Sequence, residues 1–200
     1  MKSINILRPG RIIALAILTA GSLLLHSCGE TAAPKPRGYF RIDLPERQYR
    51  PLDSIYPFRF EYPVYAKITN DIHAPAEANW INIDFPRFKG QVHLSYKAVN
   101  NNLGTFTEDA HSMVMKHIPK ASGIEEIRIE NSQNKVYGLV YDIKGTGAAS
   151  AYQFYVTDST KHFLRGALYF SVIPNNDSLA PVIDFIKTDI QHMLETMTWK

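Results

Sequence analysis

The stretch WINIDFPRFKGQVHLSYK, residues 80–97, sets the fold. Ile81, Ile83 and Phe85 alternate with Asn82 and Asp84, and Val92, Leu94 and Tyr96 alternate with His93, Ser95 and Lys97. A period of two makes one face of each segment apolar, and the Pro86-to-Gly90 turn between them is short enough to require an antiparallel hairpin. Beyond it, Phe106, Ala110, Met113, Val114 and His117 fall at helical spacing, with Thr105 and Glu108 placed as a capping box and Pro119 as the stop. Ile127 and Ile129 then precede the apolar run Val136 to Tyr141, which reads as a central strand. A turn at Gly145-Thr146-Gly147 leads to the alternation Tyr152, Phe154, Val156, and the polar turn Asp158 to Lys161 leads to Leu164, Leu168, Phe170 and Val172. A final helix is predicted with Asp177 or Ser178 as its cap, Pro181 in its first turn, and a buried stripe of Val182, Ile186, Ile190, Met193 and Met197. Strands in runs, joined by short turns and interrupted by two helices, predict an α+β fold: a single, mainly antiparallel sheet packed with two main helices. Its core is expected to include Ile83, Leu94, Val114, Val140, Phe154, Phe170, Ile186 and Ile190.

N-terminal to the hairpin the character changes. Six of the twelve prolines lie between Pro34 and Pro63, which forbids a long helix and favours extended chain wrapping over the core. Phe58, Phe60 and Tyr62 alternate with Arg59 and Glu61 as a strand within it. Arginines interleave with aromatics from Arg37 to Tyr65, a combination of large desolvated area and directional donors that suits protein recognition. Equally, such residues cover a sheet edge, with the arginine stems lying over the rings. Arg37, Tyr39, Phe40 and Arg41 are the candidate partner-binding residues.

Residues 1–11 carry Lys2, Arg8 and Arg11 and no acid, and Ile12 to Leu25 is an apolar run, too short for a comfortable membrane span and suited to a secretory signal. It ends in Leu25-His26-Ser27-Cys28, which resembles the lipobox of bacterial lipoproteins, apart from His26 where a small residue is usual. The organisation expected is therefore a signal peptide over 1–27, a lipidated tether over 28–36 beginning at Cys28, and one α+β domain over 37–200. Without the leader's three cations the 22 basic residues balance the 19 acidic ones, so nothing in the charge calls for nucleic acid. Cys28 is the only cysteine, which excludes an intrachain disulfide, a thiolate metal cage and a dithiol redox pair.

No compact constellation of reactive residues stands out. No two histidines sit at i, i+4 around a glutamate, and His111 and His117 point to different helix faces, so no metal site is predicted. Asp158, Ser159 and His162 lie close in sequence, but no GxSxG elbow accompanies them, and a polar hairpin turn explains the same residues. Gly145 to Gly147 lacks the helix and Lys-Ser/Thr of a phosphate cradle. Asp43, Asp84 and Asp142 are isolated carboxylates on strand-like segments. No catalytic residue and no cofactor is assigned.

The strings PKPRGYFRIDLP (34–45), WINIDFPRFKGQVHLSYK (80–97), VYGLVYDIKG (136–145), VTDSTKHFLRGALYF (156–170) and PNNDSLAPVIDFI (174–186) resemble the gliding motility lipoprotein GldD family of Bacteroidota. The order of elements is also similar to the Mog1/PsbP-like fold, an architectural analogy that lends no function. The family resemblance implies a cell-envelope lipoprotein required for gliding motility, associated with type IX secretion proteins as partners. It implies attachment to a membrane by lipid on Cys28, with the domain in the periplasm, and it carries no catalytic residue. Two other classes remain open: a periplasmic enzyme and a small-ligand-binding lipoprotein.

Overall fold

The computed structural model describes residues 41–52, 55–72 and 77–200. They belong to the unit running from Tyr39 to Lys200. Along the chain come β1 (Tyr49–Pro51), β2 (Phe58–Arg59), β3 (Glu61–Pro63), β4 (Lys67–Asn70), β5 (Ile81–Phe85), β6 (Gly90–Ala98), α1 (Leu103–Met115), β7 (Gly123–Asn131), β8 (Val136–Lys144), β9 (Ser150–Thr157), β10 (His162–Phe170), α2 (Asn176–Glu195) and β11 (Thr198–Trp199). Seven strands form one antiparallel sheet in the order β4-β5-β6-β10-β9-β8-β7. Two short pairs, β1 with β3 and β2 with β11, lie outside it. The protein is α+β, with a large antiparallel sheet and two main helices.

The hairpin expected over residues 80–97 is β5–β6, with Ile81 opposite Leu94 and Ile83 opposite Val92. Its turn is a single 3-10 turn at Pro86–Phe88, closed by Lys89 in the left-handed region at φ 51°. From β6 the chain crosses through α1 to the far edge of the sheet and returns strand by strand, so that β10 docks beside β6. Period-two alternation then gives the sheet two apolar faces. On one, Ile81, Ile83, Val92, Leu94, Val140, Phe154, Leu164 and Leu168 are buried together with Leu52, Phe58, Phe60 and Tyr62 of the N-terminal stretch and the inner side of α2. On the other, α1 covers two small clusters, Val114 with Tyr141 and Ile143, and Ala110 with Val99 and Phe163. Phe154 lies opposite Gly166, where an added Cβ would meet the ring at 2.0 Å, so glycine there makes room for a large side chain in the sheet centre.

Several local expectations are corrected. The capping box at Thr105 and Glu108 does not form, because α1 begins at Leu103 and Thr105 lies inside it. Leu103 packs against the Val99 and Phe163 cluster, which pulls the helix start earlier, while the side chain of the cap residue Asn102 turns back to accept the N–H of Asn100. The cap of α2 is Asn175, whose side chain accepts the N–H of Ser178, so Asp177 falls in the first turn and Pro181 inside the helix. The strand expected over Phe58 to Tyr62 divides at Phe60: β2 pairs with β11 and β3 with β1. Val136 and Val140 are buried on one face of β8 and Tyr141 on the other, with Tyr137 and Leu139 half-buried, and β8 sits one strand in from the edge and not at the centre. Met113 is exposed and Phe170 is half-buried against the core, whereas the other seven expected core residues are buried.

Candidate interaction site

Prolines 51, 57 and 63 keep the N-terminal stretch extended, and β1 pairs with β3 so that Tyr49, Tyr62 and Tyr65 reach α2 and the core. What they meet on α2 is a carboxylate. Asp189 is 2% exposed, on the inner side of the helix between Ile186 and Ile190. The Tyr65 hydroxyl donates to its Oδ2 at 2.6 Å and the Tyr49 hydroxyl to its Oδ1 at 3.0 Å. Arg47 Nε lies 3.7 Å from Oδ1, with its guanidinium 4.4 Å above the Phe185 ring. The Tyr49 ring stacks on His192 at 3.7 Å, and His192 Nε2 meets Glu61 Oε2 at 2.7 Å. Three residues of α2 thus clamp the segment from Arg47 to Tyr65.

Burial sets the electrostatics of this clamp. It holds the Asp189 carboxyl above the usual range, although the two tyrosine hydrogen bonds and Arg47 favour its ionised form. The raised direction is the net one, because Arg47 is 39% exposed and stands beyond hydrogen-bond distance, where water screens it. Burial followed by Asp189 pushes the Tyr49 hydroxyl up to about 12 and raises that of Tyr65 further, so both remain donors. The signal in the sequence was present: an aspartate falling within the apolar stripe of the last helix. Its partners lie 124 and 140 residues away, where no local pattern reaches.

The arginine and aromatic stretch is therefore divided. Arg47 covers Phe185, Arg50 lies 4.8 Å over the Tyr62 ring, and Phe58, Phe60 and Tyr62 are buried, so this part recognises its own chain. Arg41 is exposed; Arg37, Tyr39, Phe40 and Cys28 lie outside the described residues. The other motifs resolve into turns and pairs. Asp158 Oδ1 accepts the N–H groups of Thr160, Lys161 and His162, and these bonds hold its carboxyl well below the usual range against the opposing effect of burial. His162 Nδ1 is engaged by the Tyr96 hydroxyl at 2.9 Å and its ring stacks on Trp199. Asn176 Nδ2 ties the Gly145 and Ala148 carbonyls, making that segment a turn. Asp43 pairs with Arg87, Asp84 accepts from Thr69 and Gln91, and Asp142 pairs with Lys187 and Lys144: three separate places. His117 meets Gln153 at 2.9 Å, with burial and then Arg165 lowering its pKa, and His73 lies outside the described residues. Among the described residues no group of three or more His, Cys, Asp or Glu is placed to hold a metal, and no helix is long and apolar enough to cross a membrane.

One concavity has no counterpart in the sequence motifs. Ile127 and Ile129 on β7, Val140, Tyr152, and Gln191 and Leu194 on α2 line an open groove of about 600 Å³ between the sheet edge and the last helix.

A seven-stranded antiparallel sheet between two unequal helix layers, led in by an extended segment clamped to the last helix, makes this an α+β domain held together by its own N-terminal strap. The family follows from the sequence: that of the gliding motility lipoprotein GldD matches residues 29–199, and the chain belongs to it. It is accordingly a gliding motility component of the membrane-anchored cell-envelope type. No curated protein matches the chain. The solution structure of cyanobacterial PsbP from Synechocystis sp. PCC 6803 is similar with a TM-score of 0.47 and 10% identity, over 80% of this chain and 98% of that one. Similarity at this level brings no function with it.

Proposed function

We propose that this protein is a non-catalytic, lipid-anchored part of the motility apparatus, associated with type IX secretion and held by Cys28 with its domain in the periplasm. The observation that carries the reading is the family match over residues 29–199. The domain docks on envelope partners through Arg37, Tyr39, Phe40 and Arg41. The clamp on Asp189 supports this, because it fixes the chain from Arg47 onward and gives a short docking segment a rigid root, which lowers the entropy lost on binding.

Cross-linked co-purification from membranes, comparing wild type with Tyr39→Ala/Arg41→Ala, tests the surface. Loss of partners with an unchanged melting temperature is expected, since losing such an anchor costs more than about 2 kcal/mol of binding, nearly thirtyfold in affinity. Unchanged partners and motility in the folded variant would reject it. Palmitate labelling that persists in Cys28→Ser would reject the anchor, and turnover of a periplasmic substrate by the purified protein would reject the non-catalytic role. The groove favours a second reading, a small-ligand-binding lipoprotein, because about 600 Å³ matches the size of ligand pockets and Ile127, Ile129, Val140 and Leu194 supply apolar walls beside the polar Arg128 and Gln191. A molecule retained through purification, seen by native mass spectrometry and lost in Ile127→Arg, would support it.

A further inference from the structure

The loops at one end of the sheet form a continuous band. Ser171 donates its N–H to Lys89 O, joining the β10–α2 loop to the β5–β6 turn. Asn176 N–H bonds Thr146 O, joining the start of α2 to the β8–β9 turn, and Ser122 N–H bonds Lys144 O, joining the α1–β7 loop to the same strand end. This band exposes large apolar side chains: Ile173 is 90% exposed, Ile118 56% and Val172 38%. Around them Lys89, Lys116, Lys120 and Lys144 are exposed. The acids at this end are Asp142, buried between Lys187 and Lys144, exposed Glu125 opposite it on β7, Asp177 in the first turn of α2, and Asp43, whose carboxylate is taken by Arg87. The entering chain reaches the same end, because Asp43 pairs with Arg87 of the β5–β6 turn at 2.8 Å, beside exposed Arg41 and Leu44.

We infer that this end of the sheet is a membrane-contacting face, seating Ile118, Val172 and Ile173 in the interfacial layer of an anionic lipid surface with the surrounding lysines on its headgroups. The inference rests on the reading of Cys28 as the lipid anchor. Exposed isoleucine and valine among lysines is the composition that binds an interface by apolar insertion together with attraction to anionic lipid. The fifteen residue steps from Cys28 to Asp43 span at most about 50 Å, a reach that does not by itself fix which face meets the bilayer, so the surface chemistry selects it. A tether root at the apolar and basic end also keeps that end at high local concentration next to the bilayer.

The test uses the full lipidated protein on vesicles of phosphatidylethanolamine and phosphatidylglycerol doped with brominated phosphatidylcholine. The two native tryptophans report the opposite end: Trp80 donates to Tyr96 O and Trp199 to Lys135 O, about 20 Å or more along the strands from the loop band. Flotation reads the anchor and quenching reads the face. In Ile173→Trp, whose melting temperature should not change, the added emission is expected to shift to the blue and to lose roughly half its intensity to the brominated lipid, while the native emission is retained. Lys89→Glu/Lys120→Glu in that background should restore most of the lost emission and leave flotation intact. Floated Ile173→Trp protein whose added emission is unshifted and unquenched would overturn this face and leave the anchor standing, as would quenching of the native tryptophans in its place. Wild-type protein that fails to float would overturn the anchor, and the face with it.

Discussion

The two faces of the seven-stranded sheet are covered by different means. On the α2 face the helix buries eight residues, from Val182 to Leu194, and the N-terminal stretch adds Leu52, Phe58, Phe60 and Tyr62 to the same cluster. On the α1 face the helix buries only Ala110 and Val114, and a polar chain runs from His117, just past the end of α1, to Gln153 and Arg165 of the sheet beneath. The contrast locates the domain's cohesion. One face joins three distant parts of the chain in one apolar layer and is the main reservoir of hydrophobic stability; the other is a thin cover over partly polar strands.

Adjacent residues of β8 probe the two faces separately, because Val140 faces α2 and Leu139 faces α1. Val140→Asp places an unpaired carboxylate in the larger cluster, costing several kcal/mol against a typical total of roughly 5 to 15, and should abolish the cooperative melt followed by circular dichroism. Leu139 is only half-buried, and Leu139→Asp should leave a folded protein weakened by about 2 kcal/mol. Equal effects from the two would show the faces to be equivalent. A milder contrast follows on the helices. Ile186 is wholly buried, so Ile186→Ala should cost about 2–5 kcal/mol in urea denaturation, whereas Val114→Ala on α1 should cost about 1–3.

The sequence made much of the α2 face visible. The alternations of β5, β6 and β9, that of β10 as far as Phe170, and the stripe Val182, Ile186, Ile190, Met193 are local periodicities and are in place, whereas Val172, expected to continue the last strand, lies exposed in the loop beyond it. The docking of β10 on β6 was hidden, because the crossover through α1 is decided by long-range packing and leaves no mark on either strand. Helix ends misled for a related reason: Thr105 and Asp177 are good caps in isolation, but tertiary contacts at Leu103 and the bond of Asn175 to Ser178 set the starts elsewhere. The arginine and aromatic stretch read as either a binding surface or a cover. From Arg47 to Tyr65 it is a cover, which only the partner Asp189 reveals.

A subtler effect concerns two carboxylates whose environments push them in opposite directions. Asp189, under α2, has its pKa raised by burial, so in the acid range the folded protein takes up that proton before the unfolded chain does. Asp158, in the β9–β10 turn, has its pKa lowered by three backbone N–H groups, so it contributes stability above the unfolded value of about 4 that is lost as pH falls through its folded value. Asp189→Asn keeps an oxygen acceptor and an amide that pairs with the second tyrosine hydroxyl, so at pH 7 it should change stability by less than about 1 kcal/mol. As pH falls below neutral, wild type should gain on Asp189→Asn until the carboxyl is protonated in both states, near pH 4 and below. Wild type should instead lose its advantage over Asp158→Asn across and below that same point. Melting temperatures of the three proteins from pH 7 to 3 give two difference curves of opposite slope. An Asp189→Asn curve that slopes with the Asp158→Asn curve would mean that Tyr49, Tyr65 and Arg47 outweigh burial, making the clamp an ionic contact and the α2 face less purely apolar than its other residues imply.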